Sequence, residues 1–211
     1  MPHSFENWAR NRGHKLVAGV DEAGRGPLAG PVVAAAVILP EGMVIKGLTD
    51  SKALTAGQRR RLYDMVREKA LAVGVGMADS AMVDLVNILQ ATLLAMRDAA
   101  QNLSPAPDML LIDGLNTLDW PGAQQAIVKG DTLSHSISAA SVVAKVTRDA
   151  MMEKLAQIYP QYGFDKHKGY GSKEHREAIR KHGPCPVHRM TFRGVREYVG
   201  VPLEPGLDLF S

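Results

Sequence analysis

The feature that most constrains this chain is the alternation of short apolar runs with segments in which apolar residues recur at helical spacing. The apolar runs predict strands at residues 16–21, 31–39, 71–77, 109–112 and 126–128. Helical spacing predicts helices at residues 58–70, 80–100, 138–159 and 172–182, and a final short helix at 193–199. Strands that alternate with helices predict a three-layer α/β fold whose strand order stays open.

The chain is long enough for one sizeable core. It has 211 residues, of which 45% are hydrophobic, and this size favours a single domain. Its single cysteine, Cys185, excludes an internal disulfide. No apolar run reaches the length that crosses a bilayer, and residues 1–16 lack a signal region. We therefore expect a cytoplasmic protein without a membrane segment, and nothing signals an obligate interface, which favours a monomer.

Basic residues concentrate towards the C-terminus, although the formal net charge is only +3. Between residues 165 and 196 Lys and Arg outnumber the acids, with His167, His175, His182 and His188 interleaved among them. This pattern predicts a surface that faces phosphates. For a basic run taken alone, a solvated helix face is the commoner interpretation.

Four carboxylates stand at the exits of apolar strands: Asp21, Glu22, Asp113 and Asp131. Burying several ionised carboxylates together is costly unless cations neutralise them. Sets of oxygen ligands suit Mg²⁺ or Mn²⁺, and two such ions about 4 Å apart support phosphodiester hydrolysis. Taken singly, each acid is better explained as a turn or cap residue, so only the combination predicts phosphoryl chemistry.

The first acidic pair is followed by the glycine-rich loop Gly24-Arg25-Gly26-Pro27. Adjacent residues of an ideal strand point to opposite faces, so Asp21 and Glu22 are expected to share a site only where the strand ends. Glycine allows close approach of the backbone to a ligand. An ordinary turn is the alternative explanation of this loop.

Several segments together resemble the type 2 ribonuclease H family, in its bacterial form, from about residue 16 to 198. The first runs from Gly19 through Asp21-Glu22 and the glycine loop to Val32. The others are Asp50-Ser51-Lys52, Ile112-Asp113-Gly114, Lys129-Gly130-Asp131, the stretch from Ser138 to Asp149, and His167-Lys168-Gly169-Tyr170-Gly171. Together and in this order, these segments are highly specific for that family.

The resemblance implies a ribonuclease H-like fold with a central mixed β-sheet flanked by helices. Residues 1–15 would be an N-terminal extension and 16–199 the catalytic domain, including a helical substrate-binding segment at about 160–199. Residues 200–211 would form a flexible tail.

The resemblance also implies the activity. Asp21, Glu22, Asp113 and Asp131 would form the catalytic carboxylate set and hold two Mg²⁺ or Mn²⁺ ions, with Asp21 and Asp113 touching both. The substrate would be the RNA strand of an RNA/DNA hybrid, or a ribonucleotide embedded in duplex DNA. Cleavage on the 5′ side of the ribonucleotide would leave 5′-phosphate and 3′-hydroxyl ends, for ribonucleotide removal and RNA primer clearance.

A second set of residues would bind the substrate. Gly24, Arg25 and Gly26 would act with Tyr170 to sense the ribose 2′-hydroxyl, the group that distinguishes RNA from DNA. Flanking phosphates would be held by Lys52, Ser141 and Lys145. His167 would neighbour a phosphate, because a metal-bound water makes the attack and no histidine base is needed.

The C-terminal residues Leu207, Leu209 and Phe210 resemble a short motif by which bacterial replication proteins dock on the sliding clamp. The alternative, that they pack back onto the domain, stays open.

Three other interpretations compete with this one. Ribonuclease HIII shares the carboxylate set but carries an extra N-terminal domain, and only about fifteen residues precede the first strand here. A non-catalytic hybrid-binding module is disfavoured by four intact acids, since carboxylates repel phosphates unless a metal intervenes. The acids alone permit a phosphatase of small molecules, but the basic region and the glycine loop argue against it.

Overall fold

The computed structural model describes residues 4–48 and 54–200, and a five-stranded sheet lies at its centre. The strands are β1 (Val17–Ala23), β2 (Val32–Ile38), β3 (Ala72–Ala78), β4 (Met109–Asp113) and β5 (Ala123–Ile127). The helices are α1 (Ser4–Arg10), α2 (Ala56–Lys69), α3 (Ser80–Gln101), α4 (Gly130–Leu133), α5 (His135–Ile158), α6 (Phe164–His167) and α7 (Lys173–His182), with 3₁₀ turns at Pro160–Tyr162 and Arg196–Tyr198.

The sheet is mixed, in the order β3-β2-β1-β4-β5. β1 pairs antiparallel with β2, and β2 with β3, whereas β4 runs parallel to both β1 and β5. Pairing of β1 with β2 continues to Ala23, but pairing with β4 stops where Val20 meets Ile112. The sheet therefore parts between β1 and β4 at the next residues of each strand, Asp21 and Asp113.

Helices cover both faces of the sheet, which confirms the predicted three-layer α/β fold. On one face Ala34 and Ala36 pack with the buried alanines of α3. On the other face Ala35 and Val37 pack with α2 and the middle of α5. Gly19 permits the tight contact between β1 and α5, because a Cβ at this position would lie 2.1 Å from the backbone of Ser136 and Ile137.

The C-terminal part has a small core of its own. Residues after α5 bury Phe164, Ile179 and Val195 against Leu28 and Met152. This cluster joins the helical segment to the glycine loop after β1. The predicted helical segment at the C-terminal end is therefore packed on the rim of the sheet where that loop lies.

Some elements differ from the sequence prediction. The strand predicted at 126–128 begins and ends earlier, since β5 lies at Ala123–Ile127. The last predicted helix is reduced to the 3₁₀ turn Arg196–Tyr198. Helix α3 is broken at Asn87, whose φ is 70° and whose side chain caps the second half by accepting from the amides of Leu89 and Gln90. Periodicity does not detect such a break because the apolar spacing continues across it.

Helix α1 lies within the stretch expected to be an N-terminal extension. Its Ala9 is buried with Val17 and Leu111 against the sheet. Its Glu6 accepts hydrogen bonds from the Ser134 hydroxyl and the Ser136 amide at the start of α5. In the described part of the chain, no helix combines the length and apolar character that crossing a membrane needs.

Candidate active site

The four predicted carboxylates lie around the place where β1 and β4 separate. Asp21 is 5% exposed and Glu22 is half-buried. The expectation that β1 ends at this pair is wrong, because the strand continues to Ala23 on its β2 side. The irregularity lies instead in the lost pairing with β4, whose last residue is Asp113. Side chains at this edge can therefore approach one another although β1 itself is regular.

Asp131 reaches the site by a different route from the one predicted. It stands in the one-turn helix α4 and not at a strand end, since Lys129, at φ 56°, turns the chain directly after β5. The Gly130 amide donates to Asp113 Oδ1 at 2.6 Å, which ties α4 to the end of β4. Asp131 is 4% exposed. The turn thus carries this acid towards the end of β4 as a buried group.

The carboxylates perturb one another electrostatically. Burial raises the pKa of Asp21 well above its usual range, the charges of Glu22 and Asp113 raise it further, and a hydrogen bond with Ser141 opposes the rise. Burial also raises the pKa of Glu22, against the lowering effect of Arg25 and with a further rise caused by Asp113. Asp21, Glu22 and Asp113 are close enough for their charges to repel one another, and burial removes the water that would screen them. Such a site favours the binding of protons or cations.

An all-oxygen set of this kind fits a hard divalent cation such as Mg²⁺ or Mn²⁺. Such a cation would relieve both the burial cost and the mutual repulsion that raise the pKa values of Asp21 and Glu22. Within residues 4–48 and 54–200, no three acid, histidine or cysteine side chains converge closely enough to form a ready-made metal cage. The carboxylates are neighbours whose side chains would turn onto an ion when it binds.

A cavity of about 300 Å³ opens beside the acids and brings most of the predicted substrate residues together. Its lining comprises Glu22, Ala23, Gly24, Arg59, Ser141, Val142, Lys145, Arg148 and Tyr170. Tyr170 is 49% exposed, and a Cβ added at Gly26 would lie 3.6 Å from its ring. The Lys145 ammonium pairs with Asp149 at 2.6 Å, and Arg25 pairs with Glu22 at 3.4 Å.

Arg59 and Arg148 line this cavity but were not among the predicted site residues. Arg59 projects from the first turns of α2 and donates to the Leu54 carbonyl at 2.9 Å. Only its position four residues after the Thr55 cap distinguishes it in sequence from the neighbouring arginines of an exposed helix. Tertiary packing of α2 beside α5 therefore selects which of three consecutive arginines reaches the cavity.

Two buried arginines hold the glycine loop from within. Arg189 donates to the carbonyl oxygens of Gly24, Arg25, Pro27 and Gly30. Arg148 donates to those of Ala29, Pro31 and Lys168. Burial and the charge of Arg148 lower the pKa of Arg189 to about 9. The loop's shape is thus fixed by side chains that lie more than a hundred residues away in sequence.

The histidines of the basic region differ from the prediction. His175 and His188 are buried, and both ring nitrogens of His167 contact backbone atoms of Tyr162 and Gly169. The expectation that these three face phosphates, and that His167 neighbours one, is therefore wrong, because their ring nitrogens are engaged inside the C-terminal core. His182 is exposed, as are Lys173, Arg176 and Arg193.

Two groups of predicted site residues lie outside the described residues. Lys52, expected to hold a phosphate, is one, and the docking residues Leu207, Leu209 and Phe210 are the other.

Comparison with known proteins places this arrangement beside one family. The family model of ribonuclease HII matches residues 18–195. A ribonuclease HII of Geobacter sulfurreducens is 57% identical over 93% of this chain and 90% of its own length. One of Acetivibrio thermocellus is 56% identical over 89% of this chain and 73% of its own length.

Solved structures give the same fold. The ribonuclease H2 of Pyrococcus horikoshii superposes with a TM-score of 0.73 and 30% identity, over 86% of this chain and 96% of that one. The ribonuclease HII of Archaeoglobus fulgidus, solved as a complex with PCNA, has a TM-score of 0.73 and 23% identity, over 84% of this chain and 95% of that one.

Proposed function

Since this chain belongs to the ribonuclease HII family of endoribonucleases, we propose that it cuts duplex DNA on the 5′ side of an embedded ribonucleotide. Like its family it is a ribonuclease H, which hydrolyses the RNA strand of RNA/DNA hybrids. The observation that carries the proposal is that Tyr170 lines one cavity with Gly24 and Glu22 and lies so close to Gly26 that an added Cβ there would be 3.6 Å from its ring.

Asp21, Glu22, Asp113 and Asp131 would hold two Mg²⁺ or Mn²⁺ ions. When bound, these ions supply a water of lowered pKa and stabilise charge on the leaving oxygen, which gives 5′-phosphate and 3′-hydroxyl ends. Asp21 and Asp113, the next residues of each strand where pairing between β1 and β4 stops, would contact both ions. The hydrogen bond from Gly130 orients Asp113 independently of any ion.

The glycine loop and Tyr170 would recognise the ribose. Backbone groups of Gly24, Arg25 and Gly26 can approach a 2′-hydroxyl without a side chain between them, and hydrogen bonds to that hydroxyl distinguish RNA from DNA. The half-exposed Tyr170 ring would stack on the sugar that follows. Because Arg189 and Arg148 fix the loop beforehand, little ordering is needed when substrate binds.

Cations around the cavity would hold the phosphates of the duplex. Lys145 and Arg59 flank Glu22 in the cavity lining, and Ser141 adds a hydroxyl. We propose Arg59 as a phosphate contact in addition to Lys52, Ser141 and Lys145. Phosphate contacts position a duplex without reading its sequence. This agrees with an enzyme that must act wherever a ribonucleotide occurs.

Residues 16–199 would form the catalytic domain, with about 160–199 as its substrate-binding part. Lys173 and Arg176 line a surface cleft with Gly171, and Arg176 lines a second cleft with Arg193. These exposed basic residues would extend the phosphate-binding surface along the duplex. The lone buried Cys185 agrees with a reducing, cytoplasmic setting, and we propose that the protein acts as a monomer.

The C-terminal tail would dock on the replication sliding clamp. The support is its sequence motif and the PCNA complex of the Archaeoglobus fulgidus protein. Substituting Phe210→Ala should weaken binding to a purified bacterial clamp at least about tenfold, since aromatic anchors dominate such contacts. Unchanged clamp binding would contradict the docking proposal, while hydrolysis of free substrate should be unaffected.

The test of the main proposal is cleavage of a duplex DNA that carries one ribonucleotide, with Mg²⁺, Mn²⁺ or a chelator, and with the cut mapped on a sequencing gel. We expect one metal-dependent cut immediately 5′ of the ribonucleotide. Cleavage confined to long hybrids would contradict the proposal.

A further inference from the structure

A chain of hydrogen bonds runs beneath Tyr170, and no step of the proposed chemistry uses it. It starts at the Tyr170 carbonyl oxygen, 2.9 Å from His175 Nδ1. His175 Nε2 lies 3.0 Å from His188 Nε2, and the Cys185 amide donates to His188 Nδ1 at 3.0 Å. His175 and His188 are 0% and 1% exposed. Two histidines with no access to water thus connect the C-terminal segment to the residue proposed to sense the ribose.

The Tyr170 end of this hydrogen-bond chain dictates the proton positions on both histidine rings. The Tyr170 carbonyl can only accept, so His175 carries its proton on Nδ1 and Nε2 is an acceptor. His188 must then donate from Nε2, which leaves its Nδ1 as an acceptor. The Cys185 amide, which can only donate, agrees with this state at 3.0 Å, whereas the Cys185 carbonyl oxygen lies further from the same nitrogen, at 3.3 Å. The Tyr170 carbonyl therefore sets the tautomer of each ring, the shorter contact at Cys185 agrees with it, and a second proton on either ring would set two N–H groups against each other.

The peptide that carries Tyr170 is held at three successive carbonyl oxygens by groups from elsewhere in the chain. Arg148 donates to Lys168, the Leu28 amide donates to Gly169, and His175 donates to Tyr170. The first two donors belong to the network that also fixes the glycine loop. Of these three donors only His175 contacts the Tyr170 carbonyl oxygen, which also accepts from the Ser172 amide at 2.8 Å, so His175 ties the main chain of Tyr170 to the buried histidine pair.

Neighbouring rings keep the two histidines in place. His167 stacks on His175 at 4.5 Å, and Tyr162 meets the His188 ring edge to face at 4.8 Å. Burial lowers the pKa values of both His175 and His188 to about 4, which keeps the rings neutral at physiological pH. Neutral rings of fixed tautomer form a rigid link, whereas solvated histidines would not.

We propose that His175 and His188 are positioning residues for Tyr170, which hold its main chain through a hydrogen-bond chain of fixed proton direction. This inference rests on the proposed role of Tyr170 in recognising the ribonucleotide. It predicts that disturbing the chain impairs incision at a single ribonucleotide through Tyr170 and not through stability or general duplex binding.

The test is a double-mutant cycle measured on duplex DNA with one ribonucleotide. His175→Phe removes the donor but keeps a ring, and we expect kcat to fall about tenfold with KM changed by less than about twofold, since small misplacements are costly. His175→Asn retains an N–H at the Nδ1 position and should restore most of the rate. In a Tyr170→Ala background, His175→Phe should cost less than about twofold, because the residue through which it acts is gone.

A matched control separates positioning from stability. Ile179→Val alters a buried residue one turn along α7 that is not part of the hydrogen-bond chain. For Ile179→Val and for His175→Phe, the loss of kcat is compared with the loss of unfolding free energy. The inference would be overturned if His175→Phe lowered kcat by the same factor with Tyr170 present and in the Tyr170→Ala background. It would also be overturned if Ile179→Val lowered kcat as much as His175→Phe does. If Tyr170→Ala alone left incision intact, the sensing role under the proposed function would fail first.

One measurement needs no variant. Long-range ¹⁵N correlation spectra of the histidine-labelled protein report which ring nitrogen carries the proton. We expect His175 in the Nδ1–H form and His188 in the Nε2–H form at neutral pH. The opposite tautomer at either residue would overturn the proposal even if every substituted protein failed to fold.

Discussion

Asp113 shows how one residue combines structural and chemical roles. Its Oδ1 accepts the Gly130 amide, and its charge raises the pKa values of Asp21 and Glu22. An amide at this position keeps an oxygen for the hydrogen bond but loses the charge. The structural and catalytic contributions of this side chain are therefore separable by experiment.

For Asp113→Asn we expect the hydrolysis rate to fall at least about a hundredfold, because the proposed metal ligand loses its charge. The unfolding free energy without metal should not decrease, since repulsion among buried acids is relieved. Steady-state hydrolysis and urea unfolding measure the two quantities. Asp119→Asn, an equivalent change at a carboxylate whose side chain is 97% exposed, serves as control. Near-normal turnover of Asp113→Asn would refute the site assignment.

Arg189 is a buried cation whose guanidinium serves the backbone of the glycine loop. For Arg189→Lys we expect a loss of roughly 2–4 kcal/mol in unfolding free energy, since several buried carbonyls lose a charged donor. Urea unfolding at neutral pH measures it. The exposed Arg193→Lys should change stability by less than about 0.5 kcal/mol. A comparably small effect at Arg189 would show that its hydrogen bonds contribute little to stability.

At the scale of elements, the contact between β1 and α5 decides where the acids stand. Gly19 lies against the backbone of α5 two residues before Asp21. The same helix carries Ser141, Lys145 and Arg148 into the cavity. The distance between strand and helix therefore sets the distance between the carboxylates and the residues expected to hold phosphates.

Gly19→Ala should reduce the unfolding free energy by about 3 kcal/mol or more, because its Cβ would overlap backbone atoms that cannot rotate away. Thermal and urea unfolding measure the effect. Gly57→Ala on α2 is the matched control, since nothing lies within 4 Å of its added Cβ. Its expected effect is a gain of up to about 1 kcal/mol from helix propensity. Equal effects at the two glycines would contradict the tight packing of α5 on β1.

At the scale of the whole molecule, the C-terminal segment makes stability dependent on pH. The pKa values of His175 and His188 are lowered from 6.5 to about 4, so the unfolded chain binds more protons between these values. The stability that these two histidines contribute by staying neutral in the folded state is complete above about pH 6.5 and is lost as pH falls towards 4. The raised pKa values of Asp21 and Glu22 act in the opposite sense, because those groups favour the folded state when protonated.

We therefore expect the unfolding free energy to fall between pH 6.5 and pH 5, by up to about 1.4 kcal/mol per pH unit for each histidine. Urea unfolding at several pH values measures this slope, and His175→Asn should flatten it. His182→Gln, at an exposed histidine of the same helix, should leave it unchanged. His167, Tyr162 and Cys185 also face the pair. The same slope in His175→Asn as in the unsubstituted protein would contradict the assignment of this dependence to His175.

The sequence by itself determined the features that depend on near neighbours. Helical and strand periodicities predicted the α/β fold. The caps of α2 and α3 at Thr55 and Asp79 are likewise local features, because capping joins residues three positions apart. The family motifs identified the ribonuclease H activity. The four acids were recognised as a set, but the assignment of their roles remains a prediction.

The tertiary structure alone decided the strand order, the parting of the sheet between Asp21 and Asp113, and the burial of Arg148, Arg189, His175 and His188. A basic side chain in a polar segment looks the same in sequence whether it faces water or a buried carbonyl. Arg189 finds its acceptors up to 165 positions away, at Gly24. Contacts over such separations leave no local pattern, and this is why the basic region was mistaken in part for an exposed surface.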